Sequence, residues 1–202
     1  MRYGVWWIHW RCRSRYGCML VLVTLGLLTA CTGGDLDLPQ QPAHYVVDLA
    51  DLVDAQTESR LNDYLRTLET KTTAQVVVLT IPFLKGRTLE ALSLDIAHNR
   101  WKLGQQGKDN GVLILVAAKD RKYRFEVGYG LEGVLPDSLV GQFGREHLVP
   151  HFKKGNYARG LERATVAVAN AIAKDAGVQL EGMPAVRGPH AVVPSAPSTS
   201  AR

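Results

Sequence analysis

Four polar residues stand in two short stretches of the chain: Asp109 and Asn110 in KDNG, and Glu132 and Asp137 in GYGLEGVLPD. Carboxylates and an amide gathered beside glycine-rich backbone suit a hard divalent cation, Ca²⁺ or Mg²⁺, which prefers carboxylate and carbonyl oxygen. The second stretch also spells Gly128-x-Gly130-x-x-Gly133, the letters of a dinucleotide-binding fingerprint. That fingerprint needs a helix opening inside the glycines, then a second parallel strand with an acid about 20 residues on. Here Val134, Leu135 and Pro136 intervene before the next helix start, and Glu132 would meet a pyrophosphate with like charge. The loop is built around its acids rather than around a phosphate.

Each of these residues also has a plainer role. Asp109-Asn110-Gly111 is a turn signal ahead of a strand, Asp137 after a proline is a natural N-cap, and Glu132 can be a solvated acid. His147 and His151 stand four apart, but Pro150 interrupts the helix between them and no HExxH pattern is present, which assigns both to helix-end solvation. Lys108 and Arg145 are the candidates for contacting a phosphate. No Ser-His-acid order, P-loop or cysteine pair supplies a nucleophile, so the catalytic residue is unknown.

The elements that must position these residues follow from hydrophobic periodicity. Asp54 caps a helix in which Leu61, Tyr64, Leu65 and Leu68 recur on one face, and QVVVLTI, Gln75 to Ile81, is a buried strand ended by Pro82. Thr88 caps a second helix, with Leu89, Leu92 and Ile96 inward, reaching about Trp101. VLILV from Val112 is apolar on both faces and needs helices on both sides. Lys122 to Val127 alternates Tyr123, Phe125 and Val127 against Lys122, Arg124 and Glu126, as a half-buried edge strand whose charges discourage pairing. Helices follow from Asp137 to Pro150 and from Tyr157 to Ala176.

Alternating helix and strand make the first two strands parallel, and the short turn at Lys119 to Arg121 makes the third antiparallel. The fold class is α/β, with a small mixed, mostly parallel sheet. The loop before the second strand and the loop after the third then meet at one edge, which brings Asp109, Asn110, Glu132 and Asp137 within reach of one another.

Length and charge bound the rest. A chain of 202 residues, 46% hydrophobic and 21% charged, is ordinary globular material for one domain. Its net charge of +5 comes largely from Arg2, Arg11, Arg13 and Arg15; downstream of residue 30 basic and acidic residues nearly balance, and no basic stripe with interleaved aromatics marks a nucleic-acid binder. Those arginines precede CMLVLVTLGLL, too short to span a bilayer comfortably but suited to a signal-peptide core. Leu28-Thr29-Ala30-Cys31 resembles the lipobox of bacterial lipoproteins. That resemblance implies a leader over 1–30, removed before a diacylated Cys31, with the protein held on a membrane by its lipid. An uncleaved signal anchor and a secreted precursor are the alternatives. Cys12, Cys18 and Cys31 are the only thiols, so the domain itself has none for a disulfide, a zinc cluster or catalysis. A flexible tether is expected over 31–43, the domain over 44–176 and a disordered tail over 177–202.

The order VVDLADLV, W-x-L-G, DNGVLILVA, RKYRFEVGYGLEGVLPD and P-x-F-K-x-G-N-Y strongly resembles the TPM domain family over roughly residues 44 to 174. The resemblance implies a three-layer α/β/α sandwich of the kind found on bacterial envelope proteins, thylakoid-lumen proteins of photosystem repair and accessory subunits of animal receptors. Phosphatase activity and divalent-cation binding are attributed to some members. Asp48, Asp109, Asn110, Glu132 and Asp137 match the family's polar positions, with Asp48 on the opposite edge of the sheet by the topology above. Many bacterial relatives carry a C-terminal transmembrane helix and a glycine-rich tail, from which this chain departs. Two functions are implied: an accessory or assembly factor for an envelope protein complex, or a metal-dependent phosphatase acting on phosphomonoesters. Thr32 after Cys31 resembles lipoproteins passed on to the outer membrane of a diderm host.

Cys31→Ala is expected to leave an unprocessed or released protein. Partitioning into the detergent phase that survives this substitution would refute lipidation.

Overall fold

The computed structural model describes residues 36–183. The leader, Cys31 and the tail beyond 183 lie outside the described residues. A strand β1, Val46–Asp48, leads into helix α1, Ala55–Thr72, and strand β2, Gln75–Ile81. Helix α2, Leu89–Leu94, runs on through a π-helical turn over Asp95–Arg100. Strands β3, Gly111–Ala117, and β4, Lys122–Val127, form a hairpin. Helix α3, Asp137–Phe143, continues through a second π-helical turn, Gly144–Leu148, into the short α4, Val149–Phe152, and α5, Tyr157–Asp175, follows.

The sheet order is β1-β2-β3-β4, with β1, β2 and β3 parallel and β4 antiparallel to β3. The long strands need no polar face because both faces are covered: every residue of β3 is buried. Val76, Val78, Val112, Ile114 and Val116 point into the main core, which α1 closes with Leu61, Leu65 and Leu68 and α5 with Leu161, Val168 and Ile172. The alternate residues, Val77, Leu79, Leu113 and Leu115, are as fully buried on the other face, and α2 brings Leu89, Leu92 and Ile96 as buried residues of its own. This is a three-layer α/β/α arrangement with one thick and one thin helical layer.

Local chemistry sets the element ends. Asp54 caps α1 by accepting from the Thr57 amide at 2.9 Å and the Thr57 hydroxyl at 2.8 Å, and these bonds hold its carboxyl below the usual carboxylate range. Thr88 caps α2 through the Ala91 amide at 3.2 Å. The cap of α3 differs from expectation. Pro136, extended at φ −62°, ψ 156°, takes the N-cap position, and Asp137 is the first helical residue with no side-chain cap bond. Its charge still suits the positive end of the helix. Pro150 does not stop the chain either; it lies in the first turn of α4, where its missing N–H is harmless.

Both flanks are more engaged than their composition suggests. The Trp101 indole donates to the Pro39 carbonyl at 2.9 Å, tying down part of the expected tether. At the other end Val178, Leu180 and Met183 pack against the core, and the Lys71 ammonium donates to the Gln179 carbonyl at 2.8 Å. No helix among the described residues is long and apolar enough to cross a membrane.

Because one helix carries the cover of the second face, its central residue should be costly to truncate. Leu92, fully buried, is expected to lose about 2–5 kcal/mol of stability on substitution by alanine, read from the midpoint of urea unfolding.

Candidate functional site

The two glycine-rich loops meet through their backbones. The Gly128 amide donates to the Gly111 carbonyl at 2.8 Å and the Gly130 amide to the Asp109 carbonyl at 3.1 Å. A Cβ on Gly128 would lie 2.1 Å from the Asp109 carbonyl oxygen, and one on Gly130 would lie 1.9 Å from that of Lys108. These glycines are required by the close approach of a second backbone. Gly133, the third glycine of the apparent fingerprint, would meet nothing within 4 Å. Asp109 turns the chain into β3 from the left-handed region, at φ 48°, a conformation that Asp tolerates better than most side chains.

The side chains of the four expected ligands do not gather at one point. Asn110 is buried, and its amide is engaged: the oxygen accepts from the Gln105 amide at 2.7 Å, and the nitrogen donates to the Thr73 carbonyl at 2.9 Å and to the Thr73 hydroxyl at 3.2 Å. It stitches the 101–110 loop to the end of α1. Glu132 and Asp137 are exposed and line one groove of about 400 Å³ with Arg124, Glu126, Leu135 and Pro136. Asp109, also exposed, lines a separate cleft of about 10 Å³, room for roughly one water, with His98, Leu103 and Glu126. Among the described residues no three His, Cys, Asp or Glu side chains converge as a metal-binding group.

Asp48 lies at the far edge, in register with Thr80 of β2, whose own partner on β3 is Val116. From Val116 to Asn110 is roughly 20 Å along a strand. Its carboxylate accepts from the Leu52 and Val53 amides at 2.8 and 2.7 Å and from the Thr80 hydroxyl, closing the turn between β1 and α1. Lys108 donates to the Thr73 hydroxyl at 3.2 Å, and Arg145 sits in the π-helical turn beside Gly141, so neither lines the groove of Glu132 and Asp137. His147 is not at a solvated helix end: it is buried and stacks on Phe143 with ring centroids 6.1 Å apart. Burial lowers its pKa, and Arg163 and His151 add to that; burial and Arg163 lower His151 as well.

The residue that the alternation of β4 concealed is Glu126. It is 8% exposed, because α2 packs over that end of the strand. Its Oε2 accepts from the Ser93 hydroxyl and from Arg124 Nε, both at 2.8 Å, while Oε1 stands 4.0 Å from His98 Nε2. Glu126 lines both the groove and the small cleft, and so stands between them. A buried Ser93 on the helix opposite an edge strand was the available signal, since a buried hydroxyl needs a partner.

Gly130→Ala is expected to lower stability by about 1–3 kcal/mol, because the Lys108 backbone must move, whereas Gly133→Ala is expected to stay within about 0.5 kcal/mol. Equal denaturant midpoints for the two variants would contradict the close approach.

The TPM domain model matches residues 46–171. Among solved structures, the N-terminal domain of a P. gingivalis protein is 33% identical, with a TM-score of 0.62, covering 67% of this chain and 85% of that one. The N-terminal domain of a Corynebacterium glutamicum protein shares the fold at 11% identity, with a TM-score of 0.51 over 77% of this chain and 94% of its own. A protein of the psychrophilic bacterium Bizionia argentinensis does so at 24% identity, with a TM-score of 0.50 over 62% and 85%. No curated protein matches the chain. With the family model spanning more than half of its length, on the same segments that build the sheet and the paired glycine loops, this chain belongs to the TPM domain family.

Proposed function

We propose that the chain is a lipid-anchored accessory or assembly factor of a cell-envelope protein complex, whose working surface is the sheet edge where the two glycine loops meet. The observation that carries the reading is the groove lined by Glu132, Asp137 and Arg124, which sits on backbone locked by Gly128 and Gly130. The anchor is diacylated Cys31, and in a diderm host the domain faces the periplasm from the outer membrane.

A divalent cation enters this reading in a particular form. Asn110 has its amide engaged elsewhere and Asp109 lines a different cleft, so an all-protein cage does not fit. Glu132 and Asp137 fit a cation that keeps most of its waters and needs one or two carboxylates, as Mg²⁺ does. Such an ion supplies positive charge that relieves the repulsion of two neighbouring acids and offers a partner's oxygens a docking point. Catalysis would ask for a group to move a proton beside the ion. The nearest buried candidate, Glu126, is tied to Ser93 and Arg124.

Mg²⁺ or Ca²⁺ is expected to raise the Tm of the full-length protein by mass action. The double substitution Glu132→Gln, Asp137→Asn is expected to remove most of that rise while leaving the circular dichroism unchanged. A rise that persists in the double variant would place the cation elsewhere. Phosphomonoester hydrolysis by the wild type, lost in Arg124→Ala, would replace the accessory reading by the metal-dependent phosphatase.

A further inference from the structure

The two edges of the sheet are finished differently. On β1, three residues long, the outward N–H of Val46 donates to the Asn62 side chain at 3.0 Å. On β4 the bond from the Gly128 amide to the Gly111 carbonyl fixes the alternation. Lys122, Arg124 and Glu126 turn their backbone groups toward β3, and Tyr123, Phe125 and Val127 turn theirs outward. Among the described residues no hydrogen bond closes those outward groups. The same three side chains are only half-buried, although they pack against the core. An open edge with incompletely buried apolar residues is a template for another strand.

The sequence of that edge, YRFEV, is complementary to itself when two copies run antiparallel about Phe125. On the core side Phe125 meets Phe125 and Tyr123 meets Val127, aromatic and β-branched cross-strand pairs. On the α2 side Arg124 meets Glu126. The three outward-facing residues of each strand fall in the closely spaced, doubly bonded positions, which allows six new backbone bonds. Charge agrees beyond the strands. The groove at the start of β4, lined by Arg121 and Lys153, comes to the end of the partner strand where Glu132 and Asp137 line theirs. A register shifted by two residues sets Arg124 opposite Arg124, with Glu126 facing Lys122, or Glu126 opposite Glu126; of the three, only the alignment about Phe125 places no like charges directly opposite.

We infer that β4 is the interface of a two-fold symmetric dimer, in which a second copy of this chain extends the sheet from four strands to eight. The contact is isologous, and closure consumes both open edges. The contact borders the groove of the proposed function, since Phe125 and Val127 line it with Glu132 and Asp137; mass and amide exchange measured without added cation test the dimer separately from the cation. Sedimentation equilibrium of the full-length protein is expected to give twice the mass of one chain at high concentration. In hydrogen exchange the Tyr123, Phe125 and Val127 amides are expected to slow by about a hundredfold as the protein is concentrated. Val127→Pro removes an N–H that bonds nothing among the described residues, an edge position where proline is tolerated. It is expected to give a monomer with unchanged circular dichroism. A monomer at every concentration, a dimer in which those three amides stay fast, or slow exchange of the same amides in a monomer closed by its own tail or by a peptide would each overturn the inference.

Discussion

Backbone packed directly on backbone, with no side chain between, is the constraint from which the glycine-loop edge of this molecule follows. Where the chain leaves β4 it presses against the turn that enters β3, and only residues without a Cβ permit it. The contact fixes the direction of the loop carrying Glu132 and thereby the start of α3 at Asp137. It also holds Asp109 in a left-handed conformation, because the Asp109 carbonyl must meet the Gly130 amide. Side chains do the remaining stitching: Asn110 ties the same turn to the end of α1, and Gln75 accepts from the Gly104 amide at 2.8 Å. The edge is therefore rigid in its backbone while its acids stay exposed.

Much of the fold was legible in the sequence for a simple reason. Strands apolar on both faces leave few architectures, and β2 and β3 are of that kind; two capped helices with clean periodicity and a short turn before β4 then give the strand directions. The meeting of the two loops is a corollary of those directions and is what the backbone bonds display. Residue types alone could not tell whether a polar side chain was free. Asn110 has the chemistry of a ligand and the bonding of a staple. Asp137 follows a proline as a cap would, but Pro136 itself adopts the extended cap geometry and leaves Asp137 inside the helix.

Glu126 shows the other limit. Period-two alternation assigns it to solvent, and that assignment assumes that the second face of an edge strand is bare. Here α2 reaches across to cover it, so the carboxylate is enclosed and must be bonded. His147 makes the same point on a helix: its neighbours suggest an exposed end, while the π-helical turn of Gly144–Leu148 rotates it inward against Phe143. Such turns add a residue to the helical register and shift the inward face beyond them, which periodic reading does not anticipate.

The uneven thickness of the helical layers bears on how the molecule loosens. Local stability follows the density of buried apolar contacts, and α1 and α5 bury long, interlocking faces, with the Tyr64 hydroxyl donating to Asn170 at 2.8 Å across them. The opposite face depends on α2 and the π-helical turn that prolongs it. Partial opening is cheapest there, and it would carry Ser93 and His98 away from Glu126 together. The enclosed carboxylate would then become an accessible one, linking the breathing of a single helix to the charge presented at the edge where the glycine loops meet.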